Sequence, residues 1–530
     1  MANGGPARCL NCLAPRARRQ HDKKRMKTFL STCVLSFCGI VAPALSLGCQ
    51  LEEPPAGSEP ASVQTASAES TAGQSAAGEP AVGDRVQPVA PVSVPAVTSI
   101  WTRALGEDWP CFLGPRADGT SAETGIDPEL WKPHPKLVWQ RTLGMSYGGP
   151  ALAKGRALQF DRDGNRERLR CLQAETGQEL WSWDSVVEYE DMYGYNSGPR
   201  CMPIVDDDLV YVYGVTGKLS CVTLSDGKLL WQRELTKEYG VVQNFFGVAS
   251  APLVVGDQLL VMVGGSPNDS QYVPTGRLDM VKPNGSAIVS LNKTTGQELY
   301  QVGNYLASYS SPRVHRIGNR DLGLALVREG LLGWNIADGR QEFMFPWRAA
   351  MLESVNAAQP LFNAHELFIS EAYEIGSVML NIQQEQPQVV WKDGTRRGDQ
   401  AFRAHWSTPV LIDGHLYGCS GRNQPDADFR CIRWSDGKEL WSVRRHERAS
   451  VLAAGGYLIV LFENGQLELV RPSTEKYDLV RSVDLNAIEV PQESAPLLDS
   501  PCWAAPVLSH GLLYVRGNSR LLCFDLIPSP

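Results

Sequence analysis

The residues best suited to chemistry in this chain fall in a few short stretches. EYEDMYGYNSGPR (188–200) gathers Tyr193, Asn196 and Arg200 among further tyrosines and acids; Glu353 and Asn356 stand close together, as do Glu371 and Tyr373, and His405 directly precedes Trp406. Carboxylate, imidazole and phenol groups can move protons, and a guanidinium binds anions in a fixed fork. Aromatic and polar side chains on loops around a concave mouth suit a small ligand, a glycan or a peptide. The alternative is a hydrated channel whose polar groups satisfy one another. Sharper signatures are missing from the sequence. DRDGNRE (161–167) suggests a Ca²⁺ loop, but an EF-hand needs Gly sixth and Glu twelfth; here Gly164 is fourth and Leu172 twelfth, which reads as a β-turn. No H-E-x-x-H, G-x-S-x-G or G-x-x-x-x-G-K-S/T string occurs, and the eight histidines lack metal spacing. No metal site is expected.

What must position these residues is written in a repeat. SDGKLLW (225–231) and SDGKELW (435–441) are nearly the same string, and TGQELW, TGQELY and ADGRQEF end at Trp181, Tyr300 and Phe343. Before each string lie three short apolar runs, as in MPIV, LVYVYG and KLSCVTL of 202–224, separated by Asp-Gly or Thr-Gly turns. Four such strands form a meander that is apolar on both faces and cannot bury them alone; stacking copies around an axis does so. Units begin near Pro150, Pro203, Pro252, Pro312, Pro360, Pro409, Val451 and Pro506. Unit seven lacks the closing aromatic, and unit eight ends without a fourth strand. KLVWQRTLG (136–144) supplies that strand from the other end of the chain, with Trp139 in the matching place. The expected fold is all-β: an eight-bladed β-propeller of four-stranded antiparallel blades over 136–530, its ring closed by an N-terminal strand so that no edge is left free. Trp139, Trp181, Trp231, Tyr300, Phe343, Trp391 and Trp441 are expected to be structural, packing the outer strands.

The region before the repeats divides by composition. Residues 1–49 carry +8 −1 = +7 and residues 50–100 carry +1 −6 = −5, so 101–530 carries −10 of the total −8. An acidic folded part argues against nucleic acid, which needs a basic face. RRQHDKKRMK followed by the apolar run 28–49 reads as a signal or lipoprotein-type targeting segment, with Cys49 as the lipidation site after LSLG. The same run is long enough to be retained as a membrane anchor. Residues 50–100 are an Ala/Pro/Ser-rich linker expected to be disordered, and 101–135 an extension packing on the propeller. Thirteen cysteines are present. Cys171, Cys221, Cys431 and Cys523 recur at one point of the repeat, as small buried hydrophobes do. Disulfides can form outside the cytoplasm, and Cys419–Cys431 is the candidate pair. Cys9-x-x-Cys12 is followed by Leu13, not His, so it is no haem site.

The unit P-V…D-x-L-Y-V…G-x-L-x-C-L…T/D-G-K-x-L-W resembles the PQQ-like repeat of quinoprotein dehydrogenases and BamB-type lipoproteins, over about 136–527. DWPCFLGPRADGTS (108–121), SGPRCMPIVDDDLVYVYG (197–214), VNAAQPLF (355–362) and DGHLYGCSGR (413–422) are similar to a bacterial family of PQQ-like propeller proteins, with Arg116 and Ala117 departing from its opening motif. For the dehydrogenases the resemblance implies a quinone stacked on a disulfide between adjacent cysteines, with Glu, Asn and Asp holding Ca²⁺. This chain has no Cys-Cys dipeptide and no C-x-x-C-H string. The expectation is therefore an exported, lipid-anchored, monomeric scaffold of the cell envelope, periplasmic or outer-membrane-associated. It would have a protein partner and no cofactor. A PQQ- and Ca²⁺-dependent oxidoreductase of alcohols or sugars is the alternative. The candidate ligand residues are those of the channel mouth: Tyr193, Asn196, Arg200, Glu353, Asn356, Tyr373, His405 and Trp406.

Overall fold

The computed structural model describes residues 94, 96–445, 447–490 and 496–528; Cys49, the targeting segment and most of the linker lie outside them. Eight four-stranded antiparallel sheets follow one another in chain order. Blade one runs Ala151–Ala153, Arg156–Asp163, Arg166–Gln173 and Glu179–Val186, and each later blade repeats this order from the axis outward. Blade eight is Val507–Ser509, Leu512–Arg516 and Arg520–Asp525, completed by Lys136–Thr142, whose residues pair antiparallel from Lys136↔Asp525 to Thr142↔Arg520. The ring closes as the sequence predicts. Among the described residues, no helix is long and apolar enough to cross a membrane.

The repeated turn and its aromatic prove to be one device joining neighbouring blades. Trp139 Nε1 donates to Ala174 O (2.9 Å), Trp181 to Leu224 O (3.1 Å), Trp391 to Trp434 O (2.9 Å) and Trp441 to Ser473 O (2.8 Å). Each carbonyl belongs to the turn between the third and fourth strands of the next blade. In three of these turns a Gly has φ near +70°, and its missing Cβ leaves room for the ring: a Cβ on Gly227 would sit 2.5 Å from the Trp181 indole, and one on Gly437 2.8 Å from Trp391; the blade-seven turn 472–477 that receives Trp441 has no Gly. Asp-Gly and Thr-Gly recur because both the backbone conformation and the close approach require Gly. In the fourth strand of blade seven, Arg481 takes the aromatic position, opposite Leu469. It donates to Pro128 O (3.0 Å) and pairs with Glu129 (2.6 Å), holding the short turn Pro128–Trp131 against that blade and burying Trp131. The cysteines are all free among the described residues, including Cys419 and Cys431, which sit opposite Phe429 and Tyr417 rather than each other. A thiol deep in the core is costly to ionise, and burial raises the pKa of all eight described thiols, that of Cys431 to about 11.

Residues 108–121 cross the bottom of the axial channel. Trp109 exchanges backbone hydrogen bonds with Leu152 of blade one (2.9 Å each), Pro110 O accepts from Val205 N of blade two (2.8 Å), and Arg313 of blade four reaches Arg116 O (3.3 Å). Gly119 O then accepts from Ala453 N of blade seven (2.9 Å). A Cβ on Gly114 would meet the Trp109 indole at 2.9 Å, so Gly lets the segment double back on its own tryptophan.

Candidate functional site

Every innermost strand begins at the top of the channel, so the residues just before it face the axis. Counting three back from each unit start gives Tyr147, Arg200, Ala249, Tyr309, Ala357, Trp406, Arg448 and Trp503, and all eight line one cavity of about 310 Å³. Longer loops add Tyr195, Phe246, Tyr373, His405 and Arg422 above this ring, while Trp109, Phe112 and Leu113 of the crossing segment close it below. The cavity is a cup, open at the mouth. Between mouth and floor, the residue preceding each unit start forms a belt. Ala251 N donates to Ser311 Oγ (2.8 Å), Ser311 N to Gln359 Oε1 (3.1 Å) and Gln359 N to Thr408 Oγ1 (2.9 Å), linking blades three to six.

The mouth is aromatic and cationic. The Arg448 guanidinium lies 4.4 Å from the Trp406 ring centre and 5.0 Å from that of Trp503, and Arg422 lies 4.4 Å from that of Tyr373. Such contacts hold a cation in place at little cost in hydration. Arg448 is further fixed by Glu463, which also accepts from Trp503 Nε1 (2.9 Å). Burial opposes ionisation of Glu463, but the hydrogen bonds from Arg448 and Trp503 outweigh it and hold the carboxyl below its usual range. Arg200 pairs with the buried Asp191 at 2.7 Å. Asp191 also accepts from Tyr193 N (3.0 Å) and Tyr195 N (3.1 Å), which folds the 188–200 loop around one carboxylate. Arg422 differs: it makes no ion pair among the described residues, and its side-chain contacts are Met351 Sδ (2.9 Å) and the Tyr373 face. His405 keeps part of its surface on the cavity and bonds Tyr373 OH through Nε2 (3.1 Å). Burial, then the charges of Arg448 and Arg422, push it down to about 3, so it is a neutral imidazole at any physiological pH.

The sequence-predicted residues divide accordingly. Arg200, Tyr373, His405 and Trp406 line the cavity. Tyr193 sits on the outer lip against Phe245 and Phe246. Asn196 is buried between Asn518 and Gly198 N (2.7 Å), and Asn356 carries backbone of the neighbouring blade through Val327 O (2.9 Å), so both hold loops in place. Glu353 is exposed outside the cavity. Tyr147, Tyr309, Arg448 and Trp503 were missed; the signal for them was their fixed place in the repeat, three residues before a unit start.

Residues 133–320 match the profile of a family described as outer membrane protein assembly factor BamB, a span that runs from strand Lys136–Thr142 through blade three into blade four. The chain is a PQQ-like propeller repeat protein. The curated proteins hold no significant match to it. Among solved structures, this PQQ-like propeller is similar to a europium-containing methanol dehydrogenase at 12% identity, covering 78% of this chain and 89% of the other with a TM-score of 0.55. BamB from Moraxella catarrhalis aligns at 13% identity over 73% of this chain and 97% of the other, TM-score 0.47. Quinohemoprotein alcohol dehydrogenase from Comamonas testosteroni aligns at 12% identity over 80% and 81%, TM-score 0.44. At these identities the likeness concerns the fold. The donor set of this PQQ-like propeller does not fit a Ca²⁺-held quinone of the kind its resemblance implies. No carboxylate lines the cavity among the described residues, and no cluster of His, Cys, Asp or Glu there has metal-binding geometry.

Proposed function

We propose that this protein is a binding propeller of the cell envelope, held near a membrane by a lipid on Cys49 and acting as an interaction scaffold that receives its partner at the channel mouth. The observation that carries the reading is the chemistry of the cup. Its charged side chains are three arginines, its one histidine is a very weak base, and the carboxylates that pair with two of those arginines, Asp191 with Arg200 and Glu463 with Arg448, stand outside the lining. Acid–base or hydride chemistry needs a base poised near working pH within reach of substrate, whereas recognition needs fixed aromatic and guanidinium anchors, which this mouth has. The partner is expected to be an envelope protein and the propeller a monomer. The second reading, a PQQ-dependent oxidoreductase of alcohols or sugars, draws on the position of the cavity on the axis of a fold shared with a methanol dehydrogenase. Calorimetry of the full-length protein with PQQ and Ca²⁺, paired with a dye-linked dehydrogenase assay over alcohols and sugars, separates the two. The scaffold reading expects neither saturable Ca²⁺-dependent quinone binding nor turnover, and turnover would reverse it.

A further inference from the structure

The cup is graded from top to bottom. At its rim stands Arg422, a guanidinium with no carboxylate partner among the described residues, in a folded part that carries −10 overall. Its walls are the rings of Tyr147, Phe246, Tyr373, Trp406 and Trp503. Below them lie the hydroxyls of Ser311, Thr408 and Ser450. Ser311 Oγ and Thr408 Oγ1 accept backbone N–H groups, which leaves each hydroxyl proton free to donate; none of the three donates to any acceptor among the described residues. An uncompensated cation in a concave, water-poor site concentrates anions. Aromatic walls suit a ligand with an apolar face, and a belt of unused hydroxyl donors suits a ligand rich in oxygen acceptors. An aliphatic or aromatic acid would use the first two features and leave the belt unmatched; a neutral sugar would leave Arg422 unmatched.

We propose that the axial cup binds a carboxylated sugar of the hexuronate class. The carboxylate meets Arg422 at the rim, the C–H face of the pyranose lies on the aromatic wall, and the ring hydroxyls point down to Ser311, Thr408 and Ser450. The crossing segment 108–121 closes the far end, so the sugar enters and leaves by the mouth alone, and an oligosaccharide offers only its terminal residue. The inference rests on the mouth being a recognition site and assigns to the cup beneath it a small ligand in addition to the protein partner; no bond is made or broken.

The test uses full-length protein and matched probes: methyl β-D-glucuronide, methyl β-D-glucoside and benzoate, read by saturation-transfer NMR and by tryptophan fluorescence from Trp406 and Trp503. The glucuronide is expected to saturate in the millimolar range or below. The glucoside should bind at least about tenfold more weakly, since a hydrogen bond to a charged group is among the stronger polar contacts. Benzoate should also be weaker than the glucuronide. Arg422→Met, which keeps an apolar stem over Tyr373, should abolish the preference for glucuronide over glucoside; Arg316→Met, an exposed arginine outside the cup, should leave it intact, and both variants are checked for an unchanged unfolding midpoint. Raising salt should weaken the glucuronide and not the glucoside. Equal affinity for glucuronide and glucoside, tighter binding of benzoate, unchanged selectivity in Arg422→Met, or no binding of any probe would each overturn the proposal. None of these outcomes depends on the dehydrogenase assay above, in which turnover would instead overturn the scaffold reading.

Discussion

Replacing Trp139 by alanine tests the joint that closes the ring. The indole comes from strand Lys136–Thr142, is 8% exposed, packs over Gly177 in blade one and donates to Ala174 O at 2.9 Å. It therefore ties the N-terminal strand of blade eight to blade one. Two contributions set the cost. Loss of a buried tryptophan, with the cavity it leaves, is worth about 3–5 kcal/mol. The lost hydrogen bond adds little, because Ala174 O also accepts from Tyr514 OH at 3.1 Å and is not orphaned; a satisfied acceptor avoids the desolvation penalty of a stranded one. We expect about 4 kcal/mol for Trp139→Ala and about 1–2 kcal/mol for Trp139→Phe, which keeps most of the packing and loses a bond of about 1 kcal/mol.

Urea unfolding followed by circular dichroism and fluorescence reads this directly. With m of about 3 kcal/mol/M or more for a chain this large, Trp139→Ala should lower the midpoint by about 1 M. Val138→Ala, on the same strand but 37% exposed, should stay within about 0.5 kcal/mol of the parent. Because the damage falls at the one place where the ends of the repeat meet, the transition should also broaden as blade eight separates from the rest. A Trp139→Ala protein whose midpoint and slope match those of Val138→Ala would refute the argument that this strand locks the ring.

Other expectations follow from the same geometry. Gly227→Ala should cost about 2–4 kcal/mol by urea unfolding, since it combines a left-handed backbone with a Cβ 2.5 Å from the Trp181 ring; a cost below 1 kcal/mol would show that the indole moves aside freely. Burial pushes Glu371 up to about 7, against the hydrogen bond from Ser354 and the charge of Arg348. The native state thus keeps this proton after the unfolded chain has lost it, and its contribution to stability is present below about pH 4.5 and lost as pH rises through about 7. Glu371→Gln should therefore gain on the parent between pH 5 and pH 8, and a stability difference that is flat across that range would contradict it. Cys49→Ala should shift the protein out of the membrane fraction or stop its processing; a correctly cleaved variant that stays membrane-bound would remove the lipid anchor from the proposed function.

The architecture was legible because a propeller is specified by repetition. Units one to four and six state the outer turn in Gly, every unit but the seventh has an aromatic as its outer pin, and a strand missing from one end appears at the other. The site was legible only in part, and the reason is also repetition. Attention to conspicuous clusters picked out Asn196 and Asn356, which support loops, and Glu353, which faces away, because polar residues near a mouth can serve the backbone as readily as a ligand. Tyr147, Arg448 and Trp503 are inconspicuous in sequence: each sits among ordinary neighbours, and their partners on the ring are tens to hundreds of residues distant. What unites them is a register, three residues before the inner strand, that the fold turns into a circle. Two of the eight places in that circle are alanine, Ala249 and Ala357, in blades three and five. There the cup is filled instead by Phe246 and Tyr373 from longer loops, so its shape depends on loop lengths that a strand-by-strand reading does not weigh. The crossing segment was legible as a motif, but not as the floor of the cup, since nothing in its own residues names the four blades it touches. In such a ring, chemistry is encoded by position within the unit, and a search for function in repeat proteins gains most by reading one register down all the units before reading any unit along its length.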